Sequence, residues 1–191
     1  MTKTIVVLNP TAGRGVGARI SSQVEAWLRE LGLDFEMVIT SAPGEATAVA
    51  REAVGQGRPA AIAVGGDGTA NEVLNGLMQG GAGPDGPALG ILPIGTGNDF
   101  AFGVGLPLDL EKACKIIARG ETRIMDVGSM QADNEDLRFF GNGIGIGFDA
   151  VANIESRKIR RLRGTLLYLV AVIRTLAFYY DAPPCLLYTS D

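Results

Sequence analysis

Short apolar runs alternate along this chain with stretches whose apolar residues recur every three or four positions. Residues 4–8, Thr-Ile-Val-Val-Leu, are short and β-branched, the pattern of a buried strand. Residues 35–39, 60–64 and 88–92 repeat that pattern. Between the first two runs, Val16, Ile20, Val24, Trp27, Leu28 and Leu31 share one helical face, and Gly32 follows as a closing glycine. Ala46, Val49, Ala50, Ala53 and Val54 form a second such face, and Val73, Leu74, Leu77 and Met78 a third. Strict alternation of strand and helix predicts an α/β fold, a parallel sheet flanked by helices on both faces. Ligands of such sheets lie beyond the carboxyl ends of the strands. Four polar turns, 9–15, 40–44, 65–69 and 93–100, therefore fall on one edge.

The second half follows a different pattern. Asp109 is placed to cap a helix carrying Leu110, Ala113, Cys114 and Ile117 and ended by Gly120. Residues 123–130 and 137–144 predict two antiparallel strands around the polar turn 131–136. Glycine occupies every second position from Gly141 to Gly147, which in a strand would clear one face for a close neighbour, a helix or a second sheet. Arg157, Lys158, Arg160, Arg161 and Arg163 then precede an apolar run, 166–180, broken by Arg174. That run is too short and interrupted for a membrane span, which needs about 20 apolar residues. It reads either as a core helix with a solvated basic first turn or as a surface helix steered by anionic lipid headgroups. Residues 183–191 begin as a strand would, and one hairpin with one further strand cannot close a β domain. The expected division is an α/β domain over 1–122 and the start of an incomplete β-sandwich domain over 123–191.

Composition narrows the chemistry. The chain has no histidine, which removes Ser-His triads, histidine zinc sites and histidine bases together. Its net charge of −4 argues against a nucleic-acid partner. Cys114 and Cys185 are far apart and form no metal-type pair, and Met-Thr-Lys-Thr running straight into a strand is no signal peptide, so a cytoplasmic location is expected. The 27 glycines cluster at turns. The densest cluster is Gly65-Gly66-Asp67-Gly68, followed by Thr69 and Glu72 at capping-box spacing. A strand, a glycine turn and a helix N-terminus offer free N–H groups to a phosphate. The acid among them, Asp67, is either a helix cap or a functional carboxylate that holds a metal ion or removes a proton.

These motifs resemble the diacylglycerol kinase catalytic-domain family, the bacterial lipid kinases with their sphingosine and ceramide kinase relatives. The matching pieces are Asn9-Pro10 with Gly13, Thr40 with Gly44 and Ala46, and the block from Gly65 through Asn71, Glu72, Val73 and Asn75 to Gly76. They continue with Pro93-x-Gly95-Thr96-Gly97-Asn98-Asp99-Phe100, with Asp126-x-Gly128, and with Asn142-x-x-Gly145-x-Gly147-Phe148-Asp149-Ala150. Gly164 and Tyr168 match the family's basic helix. The Gly-Gly-Asp-Gly-Thr core is shared with NAD kinases, whereas the Asn-Glu-Val-x-Asn-Gly extension and the Gly-Thr-Gly-Asn-Asp-Phe loop point to lipid kinases.

The resemblance implies a NAD kinase/diacylglycerol kinase-like N-terminal domain that binds ATP, a β-sandwich domain after it, and an active site between the two. ATP and Mg2+ would be the cofactors and a lipid alcohol the acceptor. Asn9, Thr40, Gly65, Gly66, Asp67, Gly68, Thr69, Ala70, Asn71 and Thr96 would line the ATP site, and Glu72 and Asn98 would support it. Asp67 would sit near the metal and the transferred phosphoryl group. Two departures stand out: Phe102 occupies a place where the family often has a basic residue, and the Asp-Gly-Glu motif assigned as the family's general base does not occur in this sequence. The expectation is therefore a C-terminally truncated lipid kinase, inactive as a fragment. It would be peripheral at an anionic inner membrane face and able to form a homodimer through an unpaired edge strand. The alternatives are a nucleotide kinase of the NAD kinase type and a non-catalytic nucleotide-binding module.

Overall fold

The structure, a computed structural model, describes residues 3–133, 135–145, 147–159 and 164–179. It divides into two compact units, residues 1–142 and 143–191. In the first, strands β1 (Thr4–Leu8), β2 (Phe35–Ile39), β3 (Ala60–Gly65) and β4 (Ala88–Pro93) alternate with helices α1 (Ala12–Glu30), α2 (Glu45–Gly55) and α3 (Asp67–Gln79). The strands form one parallel sheet in the order β2-β1-β3-β4. The short helix α4 (Asp99–Gly103) and α5 (Leu110–Arg119) follow β4. The α/β sheet flanked by helices is as the alternation requires.

Both faces of the sheet are buried, and they differ in side-chain size. Val6, Leu8, Ile62 and Val64 pack with Val24 and Leu28 of α1 and with Ala113 and Cys114 of α5. On the other face Ile5, Val7, Ala61 and Ala63 meet Ala46, Ala50 and Ala53 of α2 and Val73 and Leu77 of α3. Small residues let α2 and α3 approach closely. A methyl on Gly76 would lie 2.3 Å from the Thr47 carbonyl oxygen and 2.7 Å from the Ala50 Cβ. The caps read from sequence hold where they are local. Asp109 accepts the Lys112 N–H at 2.9 Å, Gly120 closes α5 at φ +67°, and Gly32 closes α1 with its N–H on the Arg29 carbonyl.

Three expectations are corrected. Thr69 and Glu72 form no capping box: Gly66 is the N-cap of α3, so Thr69 lies three residues inside the helix. The extended backbone at Gly66 (φ −96°, ψ −168°) needs no side chain to start the helix. The hairpin is antiparallel as expected but only three residues deep, β5 (Gly128–Met130) against β6 (Arg138–Phe140). The glycine-rich stretch is not a strand, since residues 141–145 are irregular and α6 (Phe148–Lys158) starts just after Gly147. Close packing is nonetheless real at Gly141, where a methyl would meet the Phe100 ring at 2.5 Å.

The second unit is a helix pair, α6 and α7 (Gly164–Phe178). Leu166, Leu169, Ile173 and Leu176 of α7 are exposed, while Ala171 and Thr175 are buried. Glu155 of α6 is 1% exposed and accepts a hydrogen bond from Lys158, with Arg174 Nε at 3.3 Å from its second oxygen. The hydrogen bond from Lys158 holds its carboxyl below the ordinary 4.5. Tyr168 donates to Asp149 at 2.9 Å. Among the described residues, no helix is long and apolar enough to cross a membrane. Arg160, Arg161, Arg163 and the strand expected at 183–191 lie outside the described residues.

Candidate nucleotide site

Parallel topology puts the turns after β1, β2, β3 and β4 at one edge of the sheet, and hydrogen bonds join them in pairs. From the first turn, Asn9 Nδ2 donates to Thr69 Oγ1 at 3.1 Å. The other end of the same amide accepts from the Thr11 N–H and hydroxyl at 3.0 and 2.8 Å, which fixes its direction. From the second turn, the Gly44 N–H donates to Glu72 Oε2 at 3.0 Å, and Thr47 Oγ1 donates to the Glu72 carbonyl at 3.0 Å. Glu72 thus braces α2 and the second turn from α3. Glu45 orders that turn further, accepting the Ser41 N–H and hydroxyl, and these bonds hold its carboxyl below the ordinary 4.5. Thr40 is buried, its hydroxyl turned toward the Leu8 carbonyl at 3.4 Å.

Asp67 joins the third turn to the fourth. Its Oδ2 accepts the Asn98 N–H at 2.8 Å and its Oδ1 the Phe100 N–H at 2.9 Å. The acid therefore caps α4, while in its own helix it occupies the first position. Asn98 holds the fourth turn from within: at φ +61° its side chain accepts the Gly95 N–H at 2.8 Å and donates to the Gly95 carbonyl at 3.0 Å. The turns meet through Gly66 and Gly95, where a methyl on Gly95 would stand 2.5 Å from the Gly66 Cα. Any side chain there would push the two loops apart.

This leaves a defined set of groups facing outward. The intrahelical bonding of α3 starts with the Ala70 N–H on the Gly66 carbonyl, so the N–H groups of residues 67–69 have no carbonyl one turn back. Gly68 is exposed, and the space where its side chain would be is open. Thr96 is exposed at the tip of the fourth turn, and Asn71 is exposed on α3. Gly65 is buried beneath Thr69, and the Ala70 side chain belongs to the core, so these two contribute backbone only. Of the residues singled out from sequence, Asn9, Thr69, Asp67 and Asn98 are brought together by direct bonds; Thr40, Asn71 and Thr96 share the edge without bonding to them.

The sequence reading gave Asp99 no role. It is exposed, takes part in no ion pair or side-chain hydrogen bond among the described residues, and flanks Gly97 together with Asp67. A methyl on Gly97 would lie 3.0 Å from Asp67 Oδ2 and 3.3 Å from Asp99 Oδ2. The signal was available, since an acid directly after an Asn in a glycine turn is placed at a helix start. Among the described residues no three His, Cys, Asp or Glu side chains form a ready-made metal cage. Two carboxylates flanking one loop suit instead a hard divalent cation that takes one or two protein carboxylates and completes its shell with other oxygen ligands. Each Asp67 oxygen accepts one N–H and retains a second lone pair. Cys114 stays outside this chemistry, buried in the core with its thiol pushed up to about 11 by burial.

The family model described as diacylglycerol kinase catalytic domain matches residues 3–130, which contain all four turns. The chain belongs to that family. A diacylglycerol kinase of Mycobacterium tuberculosis is 33% identical over 176 residues, covering 92% of this chain and 55% of that protein. One from Bacillus subtilis is 37% identical over 131 residues, covering 68% of this chain and 42% of the relative. A crystal structure of a diacylglycerol kinase from Bacillus anthracis str. Sterne superposes with a TM-score of 0.55 at 30% identity, covering 66% of this chain and 43% of that one. The chain thus spans about half the length of the diacylglycerol kinases it matches.

Proposed function

We propose that this chain supplies the nucleotide-binding half of an ATP-dependent lipid kinase, one that transfers the γ-phosphoryl group to the hydroxyl of diacylglycerol or a related lipid alcohol. The observation that carries this reading is the doubly bonded Asp67, which locks the Gly-Gly-Asp-Gly turn against the Gly-Thr-Gly-Asn-Asp-Phe loop beside the uncommitted N–H groups of α3. Phosphoryl transfer asks a protein mainly to position groups and stabilise charge. In the proposed arrangement the N–H groups of residues 67–69 and the α3 dipole receive phosphate oxygens. Asn9, anchored on Thr69, and Thr96 at the loop tip flank them. Asp67 and Asp99 would hold Mg2+, which when bound neutralises charge on the β- and γ-phosphates. Glu72 and Asn98 keep the second and fourth turns in place.

Titration calorimetry of this chain with ATP, with and without Mg2+, tests the nucleotide half. Saturable binding strengthened by Mg2+ is expected, and no binding in either condition would overturn it. Transfer from labelled ATP, assayed with a longer form of the protein matching its relatives in length, tests the acceptor. Phosphate on a lipid alcohol supports the reading; phosphate on NAD and on no lipid would sink it.

A further inference from the structure

A groove of about 670 Å³ runs between residues 102–108, which follow the fourth turn, and α5. Phe102 and Leu108 line it while remaining 76% and 53% exposed, and Ile116 forms part of its wall. Lys112, Lys115 and Arg119 line the same groove. Their spacing of three and four residues sets them in one stripe along α5, opposite the buried Ala113 and Cys114. Lys115 is paired with Glu111 at 2.6 Å, and Asp109 and Glu30 also act on it. The ammonium of Lys112 and the guanidinium of Arg119 take part in no ion pair or hydrogen bond among the described residues. The candidate nucleotide site uses none of these residues.

We propose that this face docks on an anionic membrane surface, with Phe102 and Leu108 entering the interfacial layer and Lys112 and Arg119 meeting lipid phosphates. Large apolar side chains beside two unpaired cations are the composition such a surface selects. Charge argues against a second copy as the occupant, because pairing the groove with itself would bring Lys112 and Arg119 against the same cations of the partner. Its residues are not those of the basic segment 157–163 singled out in the sequence, and it would orient the nucleotide-binding unit itself.

Co-sedimentation with phosphatidylcholine vesicles, with and without phosphatidylglycerol, tests this without any need for turnover, so its result is independent of the kinase assay. The protein is expected to partition onto the anionic vesicles only, less so at high salt. Each basic residue contributes roughly fivefold, so Lys112→Gln with Arg119→Gln should lower partition about 25-fold. Phe102→Ser should lower it several-fold. All three positions are exposed, so the melting temperature should not move. Leu169→Ser on α7 is the control and should bind as wild type does. The proposal is overturned if wild type ignores anionic vesicles, if the groove variants bind undiminished, or if only Leu169→Ser loses binding. It is equally overturned if Phe102→Ser turns a dimer into a monomer without changing vesicle binding.

Discussion

Replacing Asp67 by asparagine exchanges one carboxylate oxygen for an NH2 group at the point where two turns are tied together. The carboxylate accepts two backbone N–H groups, at 2.8 and 2.9 Å. Hydrogen bonds to a charged acceptor contribute about 1.5–3 kcal/mol each, and the half-exposed position argues for the lower end. Asparagine keeps one acceptor, now neutral and contributing about 1 kcal/mol, and turns two donors toward the other N–H. The summed loss is about 2 kcal/mol. With an m-value of about 2 kcal/mol/M, the urea midpoint should fall by about 1 M with the slope unchanged. Trp27, the single tryptophan, packs against the core from α1 and reports this by fluorescence. Asp99→Asn is the partner experiment: with no bond to lose, it should leave the midpoint within about 0.5 kcal/mol while weakening the Mg2+-dependent part of ATP binding. An unchanged midpoint in Asp67→Asn would refute the bracing role, and unchanged Mg2+-dependent binding in Asp99→Asn would remove Asp99 from the site.

Two further outcomes follow from side chains outside the turns. Asn75, 8% exposed on α3, donates to the Phe139 carbonyl and accepts the Phe139 N–H, both at 2.9 Å, and so acts as a strand partner for β6. Asn75→Ala strands both backbone groups and should cost about 2–3 kcal/mol locally, read as faster amide exchange at Phe139; retained protection would show that the hairpin holds without it. In the helix pair, the folded pKa of Glu155 is lowered by Lys158, so its stabilisation is fully present above the unfolded value near 4.5 and is lost as pH falls through the lower folded value. Amide exchange across α6 and α7 should therefore separate wild type from Glu155→Gln above about pH 5.5 and converge in acid, whereas a pH-independent difference would contradict the assignment.

What could be read in the chain was local. The period of the apolar residues gave strands and helices because burial on one face repeats every two or 3.6 residues. Caps at Asp109, Gly32 and Gly120 were legible because donor and acceptor lie within one turn. Parallel alternation by itself places four turns on one edge. The motif from Gly65 to Gly76, with the loop after β4, indicated the family for the same reason: its residues are contiguous.

The tertiary structure decided which distant groups meet. Asn9 and Thr69 are 60 residues apart, Asp67 and Asn98 31, and Asn75 and Phe139 64. No spacing rule predicts such pairs, because strand order and helix packing set them. The start of α3 moved to Asp67 because an extended glycine can end a strand and open a helix without a side-chain cap, a choice fixed by the contact with Gly95 and invisible in the Thr69–Glu72 spacing. The glycine stretch after β6 failed as a strand for a related reason. Alternating glycines leave a strand no side chains with which to hold a partner sheet, so among the described residues the backbone turned into α6 instead. Sequence named Asp67 as either a cap or a working acid; the fold shows it capping α4, with one lone pair left on each oxygen, because the loop that needs the cap begins 28 residues later in the chain at Gly95 and only the sheet brings it there.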